Sequence, residues 1–346
     1  MEDFKLKQKE LIPANAVLIE PLKETDWRIG GDSKLVYEVI NETANWFEYE
    51  PTNERQNRGM ETMICTNEAG NNSWEVQLIY MIEHNLLSPK ALNFLNGDNI
   101  AKISYLDENN KPNFSDKWIA ILSGTSPSGN WLYKTPEKAH EFGLIPESML
   151  PFGNPKTWND FFNKEQITQE MYDLGEEFKE IFEIEYEAFV TSGKTKAQTM
   201  EEVDKHLKQA PLIVAIPICP GYKDDDIIQA CSKTPIHAVL LINRLEEYRN
   251  IIDSYEPFIK QLAIDYNIPY LLKSIIFEKD KLNKNYMLVK TEQGPNIYLV
   301  VGNKKTMIID MPTYEVFKQD FKIISEEEMN SYEDGGTLIW ADRIIK

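Results

Sequence analysis

One run constrains this chain more than any other: Pro211-Leu212-Ile213-Val214-Ala215-Ile216-Pro217-Ile218-Cys219. It is almost wholly apolar but strand-sized, far short of the ~18 residues of a membrane span. Such a run fits a strand buried on both faces. The segments after it supply partners. Ile236 to Asn243 and Asn250 to Ser254 read as strands separated by the charged turn Arg244 to Arg249, and two strands joined that tightly pair antiparallel. Lys273 to Lys279 and Tyr286 to Thr291 extend the sheet, whereas Phe258 to Tyr266 reads as a helix.

The first half of the chain has the other period. Behind Cys65, the residues Trp74, Leu78, Met81 and Ile82 recur at the step of an amphipathic helix, with Val76 and Ile79 widening the stripe. Ser88 to Asn96 reads as a second helix. Thr135 to Phe142 is another, stopped by Gly143 with Pro146 beyond. Thr157 to Glu183 is helical and acidic, Glu183 to Val190 alternates like a strand, and Thr199 to Lys208 is helical again. Helices first and strands afterwards make an α+β chain. Residues 1–44 carry little periodicity and read as an N-terminal arm rather than an inhibitory pro-segment. Residues 45–293 form the main domain. Residues 294–346 read as a small β-rich accessory module, with a hairpin Ile297 to Val301 and Lys304 to Ile309 around Gly302-Asn303, a short helix Tyr314 to Phe321 and a closing strand Thr337 to Trp340.

Charge narrows the functional classes. Of 346 residues, 56 are acidic and 37 basic, a formal net charge of -19. That excludes nucleic-acid binding through a basic patch and adhesion to anionic membranes. Met1 to Leu11 lacks the apolar core of a secretory signal, so a cytoplasmic protein is expected. In that setting Cys219 and Cys231, which flank a turn-rich loop, are favoured as reduced thiols, and a bridge between them stays open as the alternative. No Cys/His spacing suggests zinc, and neither a metal nor a cofactor is expected.

Cys65 stands where Gln56-Asn57-Arg58-Gly59-Met60-Glu61-Thr62-Met63-Ile64 runs into the long helix. The positive end of a helix favours a thiolate, and the thiolate is the nucleophile. A thiolate needs a base, and the base needs an orienting partner. Of the four histidines, His237 opens the apolar strand Ile236 to Asn243, and Asp253 ends the next strand sixteen residues on. Two antiparallel strands with a tight turn bring those positions together, with the carboxylate expected on Nδ1 of the ring.

Glutamine, cysteine and helix, then His237-Ala238-Val239 on a strand, then Asp253-Ser254-Tyr255, resembles a papain-like cysteine peptidase. Pro51 to Gln56, Ser123-Gly124-Thr125 and Gly129-Asn130 are similar to divergent members encoded by bacteriophages and bacteria. The resemblance implies a two-lobed fold, a helical lobe plus an antiparallel β lobe, and a peptide or protein substrate. Its phage-encoded members make a virion-associated location the alternative to a cytoplasmic one. It implies Cys65 as nucleophile, His237 as base and Asp253 where the family has asparagine. Gln56 becomes an oxyanion-hole donor beside the Cys65 N–H, with Asn57 as a fallback, and Gly124 and Gly129 offer backbone to the substrate. The sequence departs from the family in having Met63-Ile64 before Cys65, Thr66 after it, and Gln56 nine residues upstream. Two alternatives stay open. One is a catalytically degenerate structural or interaction protein of the same fold, such as part of a phage particle, with the C-terminal module as a place for a protein partner. The minor one is nucleotide binding at Ala188 to Thr195, a loose phosphate-loop pattern containing Lys194.

Overall fold

The computed structural model describes residues 17–18, 40–190, 195–222, 225–279, 286–291, 296–301, 304–308, 322–331, 333–339 and 343–345. Described residues up to Ile276 fall in one compact unit and those from Phe277 onward in another. The division lies before the expected one near Gln293, because Tyr286–Thr291 pairs with Ile297–Val301 and not with the sheet of the first unit.

In the first unit, helices precede the sheet. A short strand β1 (Val17–Leu18) pairs in parallel with β2 (Asn130–Trp131). The helices are α1 (Cys65–Glu83), α2 (Pro89–Leu95), α3 (Asp116–Leu122), α4 (Lys134–Phe142), α5 (Trp158–Phe162) and α6 (Gln169–Ile181). Serine and threonine caps start most of them. Ser88 accepts from the Ala91 N–H, Ser115 from Trp118 and Thr168 from Met171, while Thr157 closes a capping box with Asp160. Gly143 ends α4 at φ +70°, and a Cβ there would collide with the Gly175 carbonyl oxygen. After α6 come β3 (Phe182–Val190), α7 (Lys196–Leu207), β4 (Leu212–Ile216), β5 (His237–Leu241), β6 (Tyr248–Ile252), β7 (Ile259–Ala263) and β8 (Tyr270–Glu278). The sheet order is β3-β8-β4-β5-β6-β7, and the ladders of β4 with β5 and β8, β5 with β6, and β6 with β7 are antiparallel. This is the α+β architecture expected, a helical lobe followed by an antiparallel β lobe. The apolar run forms β4, buried along its whole length near the middle of the sheet.

Two local readings are corrected. Phe258 to Tyr266 is not helical. Its central part is strand β7, pairing Tyr248 with Ala263 through Ile252 with Ile259. The apolar i, i+4 spacing there was outweighed by a hairpin that gives β6 its second neighbour. Helix α1 is not amphipathic. It stands between two cores, giving Trp74, Leu78 and Met81 to the helical one and Cys65, Ala69 and Val76 to the one around β4 and β5. With apolar surface against both sides, its polar residues are buried too; Thr66 Oγ1 and both Glu68 carboxylate oxygens make no hydrogen bond, while Asn67, Asn71 and Gln77 are tied to neighbouring elements. Asn67 Nδ2 reaches Ser123 Oγ and Thr135 Oγ1 at 3.0 Å each, and Asn71 Nδ2 reaches Asp116 Oδ1 at 2.7 Å. Gln77 donates to the Ser73 and Ser274 carbonyls and accepts from the Ile276 N–H, crosslinking α1 to β8.

Cys219 and Cys231 are joined by a disulfide, with Cα atoms 5.7 Å apart, and so are not the reduced pair favoured from the sequence. Their Cα separation suits a bridge, and the loop they close folds back towards the sheet, where Ile228 bridges Leu262. The second unit is a sheet of order β12-β9-β10-β11-β13-β14, comprising β9 (Tyr286–Thr291), β10 (Ile297–Val301), β11 (Lys304–Ile308), β12 (Lys322–Ile324), β13 (Glu333–Ile339) and β14 (Arg343–Ile345). The expected hairpin is β10–β11, pairing Val301 with Lys304. The helix expected at 314–321, and the arm residues except 17–18 and 40–44, lie outside the described residues. No helix among the described residues is long and apolar enough to cross a membrane.

Candidate active site

Helix α1 starts abruptly. Its N-cap residue, Ile64, has no side-chain acceptor, and Met63 before it sits at φ +57°, a conformation that costs a non-glycine residue about 1 kcal/mol or more. The Ile64 carbonyl takes the N–H groups of Asn67 and Glu68. That leaves the N–H groups of Cys65 and Thr66 at the positive end of the helix for a ligand. The Met63 turn is held by Glu61, whose Oε1 accepts the Met63 N–H at 3.0 Å.

His237 reaches the same place from the sheet. It faces Ile216 across β4 and opens β5. The β5–β6 register pairs Leu240 with Ile252. Continued by one residue it sets Asp253 opposite Val239, diagonal to His237 on the same face. The ring meets the carboxylate there: His237 Nε2 to Asp253 Oδ1 is 2.8 Å. The bonded nitrogen is Nε2, a correction to the expected Nδ1. With hydrogen on Nε2, the neutral ring keeps its lone pair on Nδ1, which is buried and makes no hydrogen bond. The Cys65 thiol lies close enough to interact with this imidazole, so Nδ1 is the nitrogen left for it.

The electrostatics follow the geometry. Burial pushes the His237 pKa down, but the Asp253 charge, the bond to it and the neighbouring Cys65 outweigh that and hold it up at about 10. Asp253 is also fully buried, which alone would raise its pKa. His237 and Lys260 reverse the sign and keep it well below the usual carboxylate range. Four donors meet this one carboxylate. Oδ1 takes His237 Nε2–H and, at 3.2 Å, the Tyr255 N–H, while Oδ2 takes the Tyr222 hydroxyl at 2.7 Å and the Lys260 ammonium at 2.9 Å. Cys65 is 1% exposed, His237 0% and Asp253 2%, so the three groups are shut from solvent in this state.

The other sequence candidates divide. Gln56 is buried beside the site, with its amide fully engaged. Its Nε2 donates to Glu61 Oε1 and to Tyr255 Oη at 2.6 Å, and its Oε1 accepts from Ser254 Oγ at 2.7 Å. As it stands, Gln56 has no N–H left for an oxyanion and instead ties the turn after Asp253 to the loop before α1. Asn57 is half-buried. Gly124 is exposed at φ +71° with open space where a Cβ would stand, and Gly129, at φ +83°, is buried in the turn back to Ser126. Asn130 Nδ2 binds Ser123 Oγ and Thr125 Oγ1, which also bind Asn67, so this loop is fastened to the first turn of α1. The remaining histidines are engaged elsewhere: His84 stacks on Tyr80, His140 meets Glu183, and His206 lies against Phe189 and Lys273.

Sequence reading missed Lys260, Tyr222 and Glu61. Lys260 was hidden in a segment read as helix, Tyr222 in a loop whose closure was not favoured, and Glu61 in a turn with no periodic signal. Residues 191–194 of the phosphate-loop pattern lie outside the described residues. The Thr195 hydroxyl at its end caps α7 by accepting the Gln198 N–H. Among the described residues no group of three or more His, Cys, Asp or Glu could hold a metal ion.

No family model and no curated protein matches this chain. Among solved structures it is similar to bromelain from Ananas comosus in complex with E64, at 13% identity and a TM-score of 0.40, over 68% of this chain and 96% of that one. It is similar to digestive procathepsin L 3 of Tenebrio molitor at 12% and 0.41, covering 79% and 78%. The ragweed cysteine protease Amb a 11 in its proform matches at 12% and 0.41, covering 68% and 63%. Likeness at this level says nothing about Cys65, His237 or Asp253, whose relation is read from their own geometry.

Proposed function

We propose that the chain is a papain-like cysteine peptidase working through Cys65, His237 and Asp253. The observation that carries the reading is the buried imidazole held at Nε2 by Asp253, with Nδ1 left to the thiol at the start of α1. In this reading His237 Nδ1 takes the Cys65 proton and the thiolate attacks the peptide carbonyl. The oxyanion is received by the N–H of Cys65, and the imidazolium returns its proton to the leaving amine. His237 then deprotonates a water, which splits the acyl-thioenzyme. Exposed Gly124, with open space over its Cα, suits the close approach of an extended backbone.

One observation favours a second reading, a fold retained without catalysis: the Cys65 side chain is closed off from solvent. One experiment decides between them. A peptidyl epoxide or vinyl sulfone is expected to form a covalent adduct at Cys65, seen by intact mass and peptide mapping. Cys65→Ala is expected to abolish both labelling and peptide hydrolysis. An unlabelled Cys65, with no hydrolysis to lose, would leave the non-catalytic reading standing.

A further inference from the structure

The third member of the site is an aspartate where the resembled peptidases carry an uncharged asparagine, and the structure surrounds it unusually. Lys260 faces Ile251 across the β6–β7 ladder, and its ammonium turns into the loop between those strands. It is buried, meets Asp253 Oδ2 at 2.9 Å, and donates to the carbonyls of Tyr255 and Pro257. Its charge also lies over the Tyr222 ring, whose hydroxyl binds the same Oδ2. A buried ammonium is costly unless paired and hydrogen-bonded. All three of its hydrogens have acceptors here, one of them the Asp253 carboxylate.

We propose that Lys260 is a positioning residue of this site: its ammonium fixes the Asp253 carboxylate and cancels its charge, so that His237 meets a neutral pair rather than an isolated anion. The proposal rests on the peptidase reading and deepens it. In the thiolate form the charges alternate along one line: Cys65 negative, His237 positive, Asp253 negative, Lys260 positive. Without Lys260 that buried line carries a net negative charge, and His237 holds its proton more tightly. It would then give that proton up to the leaving amine less readily. The groups facing His237 are Asp253, Cys65, Tyr222 and Tyr255, with Glu61 next out, and those facing Asp253 are His237, Tyr222, Tyr255 and Lys260. Among them only Lys260 opposes Asp253 without itself exchanging a proton in the reaction.

The test is an NMR titration of the His237 ring in the full chain, compared among wild type, Lys260→Met, Asp253→Asn and the paired variant. Lys260→Met is expected to raise the His237 midpoint by roughly one pH unit, and Asp253→Asn to lower it by at least as much. The paired variant, which removes both charges, is expected to lie closer to wild type than either. The alkaline limb of kcat/KM should move in the same directions. An unchanged midpoint in Lys260→Met, or a paired variant no closer to wild type, overturns the proposal. If Lys260→Met does not fold, the paired variant serves instead: it is expected to fold with a His237 midpoint near that of wild type, and a midpoint displaced as far as that of Asp253→Asn overturns the proposal. The ring titration needs no turnover. A wild type whose Cys65 takes no probe therefore counts against the peptidase reading alone, while the titration still judges Lys260.

Discussion

At Gln56, Glu61, Tyr255 and Ser254 a glutamine binds three partners at once, and all of them are buried or half-buried. Truncation would take its acceptor from the buried Ser254 hydroxyl, whereas Glu61 keeps the Met63 N–H and the Tyr255 hydroxyl keeps Glu61 Oε2. Gln56→Ala is therefore expected to lower the unfolding free energy by about 1–3 kcal/mol, measured by urea denaturation. An oxyanion donor would behave differently, losing about 100-fold or more in kcat. A kcat within a few-fold of wild type supports the locking role, and a drop of the larger size with unchanged stability would restore Gln56 to the oxyanion hole. The residues of the proposed triad were legible because their types and order are restrictive: a cysteine before a helix, a histidine opening an apolar strand, an acid ending the next. Their supports were not legible. Nothing in Phe258-Ile259-Lys260-Gln261-Leu262 says that the lysine points inward, since a lysine on a strand normally faces water.

Among the elements, α1 shows what periodicity can and cannot reveal. Its existence and its start at Cys65 were readable. Its full burial was not, because Asn67, Asn71, Glu75 and Gln77 look like a solvent face until hydrogen-bonded partners from α3, β8 and the loops are in place. Strand β7 failed in the opposite way: a locally helical spacing gave way to pairing with β6. The short β1 bears on the proposed function. Val17–Leu18 occupies the backbone of Asn130–Trp131, on the loop fastened to the first turn of α1. An extended peptide seeking that edge has to displace it. Removing residues 1–39 is therefore expected to speed covalent labelling of Cys65 several-fold, followed by intact mass against time. An unchanged rate would show that this pairing is no barrier.

The whole molecule carries a formal charge of -19 and also buries carboxyl groups. Burial raises the pKa of Glu68 and Glu75 well above normal, and that of Asp116 with Glu54 adding to it; Glu147 is pushed up to about 8. A carboxyl raised on folding contributes stability that is complete below its unfolded value near 4 and lost as pH climbs through the folded value. His237, raised to about 10, keeps its contribution through neutrality, and Asp253, lowered, loses its own only in strong acid. The thermal midpoint is thus expected to be higher at pH 5 than at pH 8.5, and Glu147→Gln, a neutral stand-in for the protonated acid, is expected to change it little at pH 5 and to raise it at pH 8.5. A flat profile between those values would contradict this. The bridge from Cys219 to Cys231 makes a different demand on chemistry. Its loop carries Tyr222, whose hydroxyl holds the Asp253 carboxylate, while Cys65 is the one free thiol among the described residues. A dithiol dose that also reduces this bridge is expected to free the loop. Activity plotted against reductant should accordingly decline at that dose, and Tyr222→Phe should flatten the descending side.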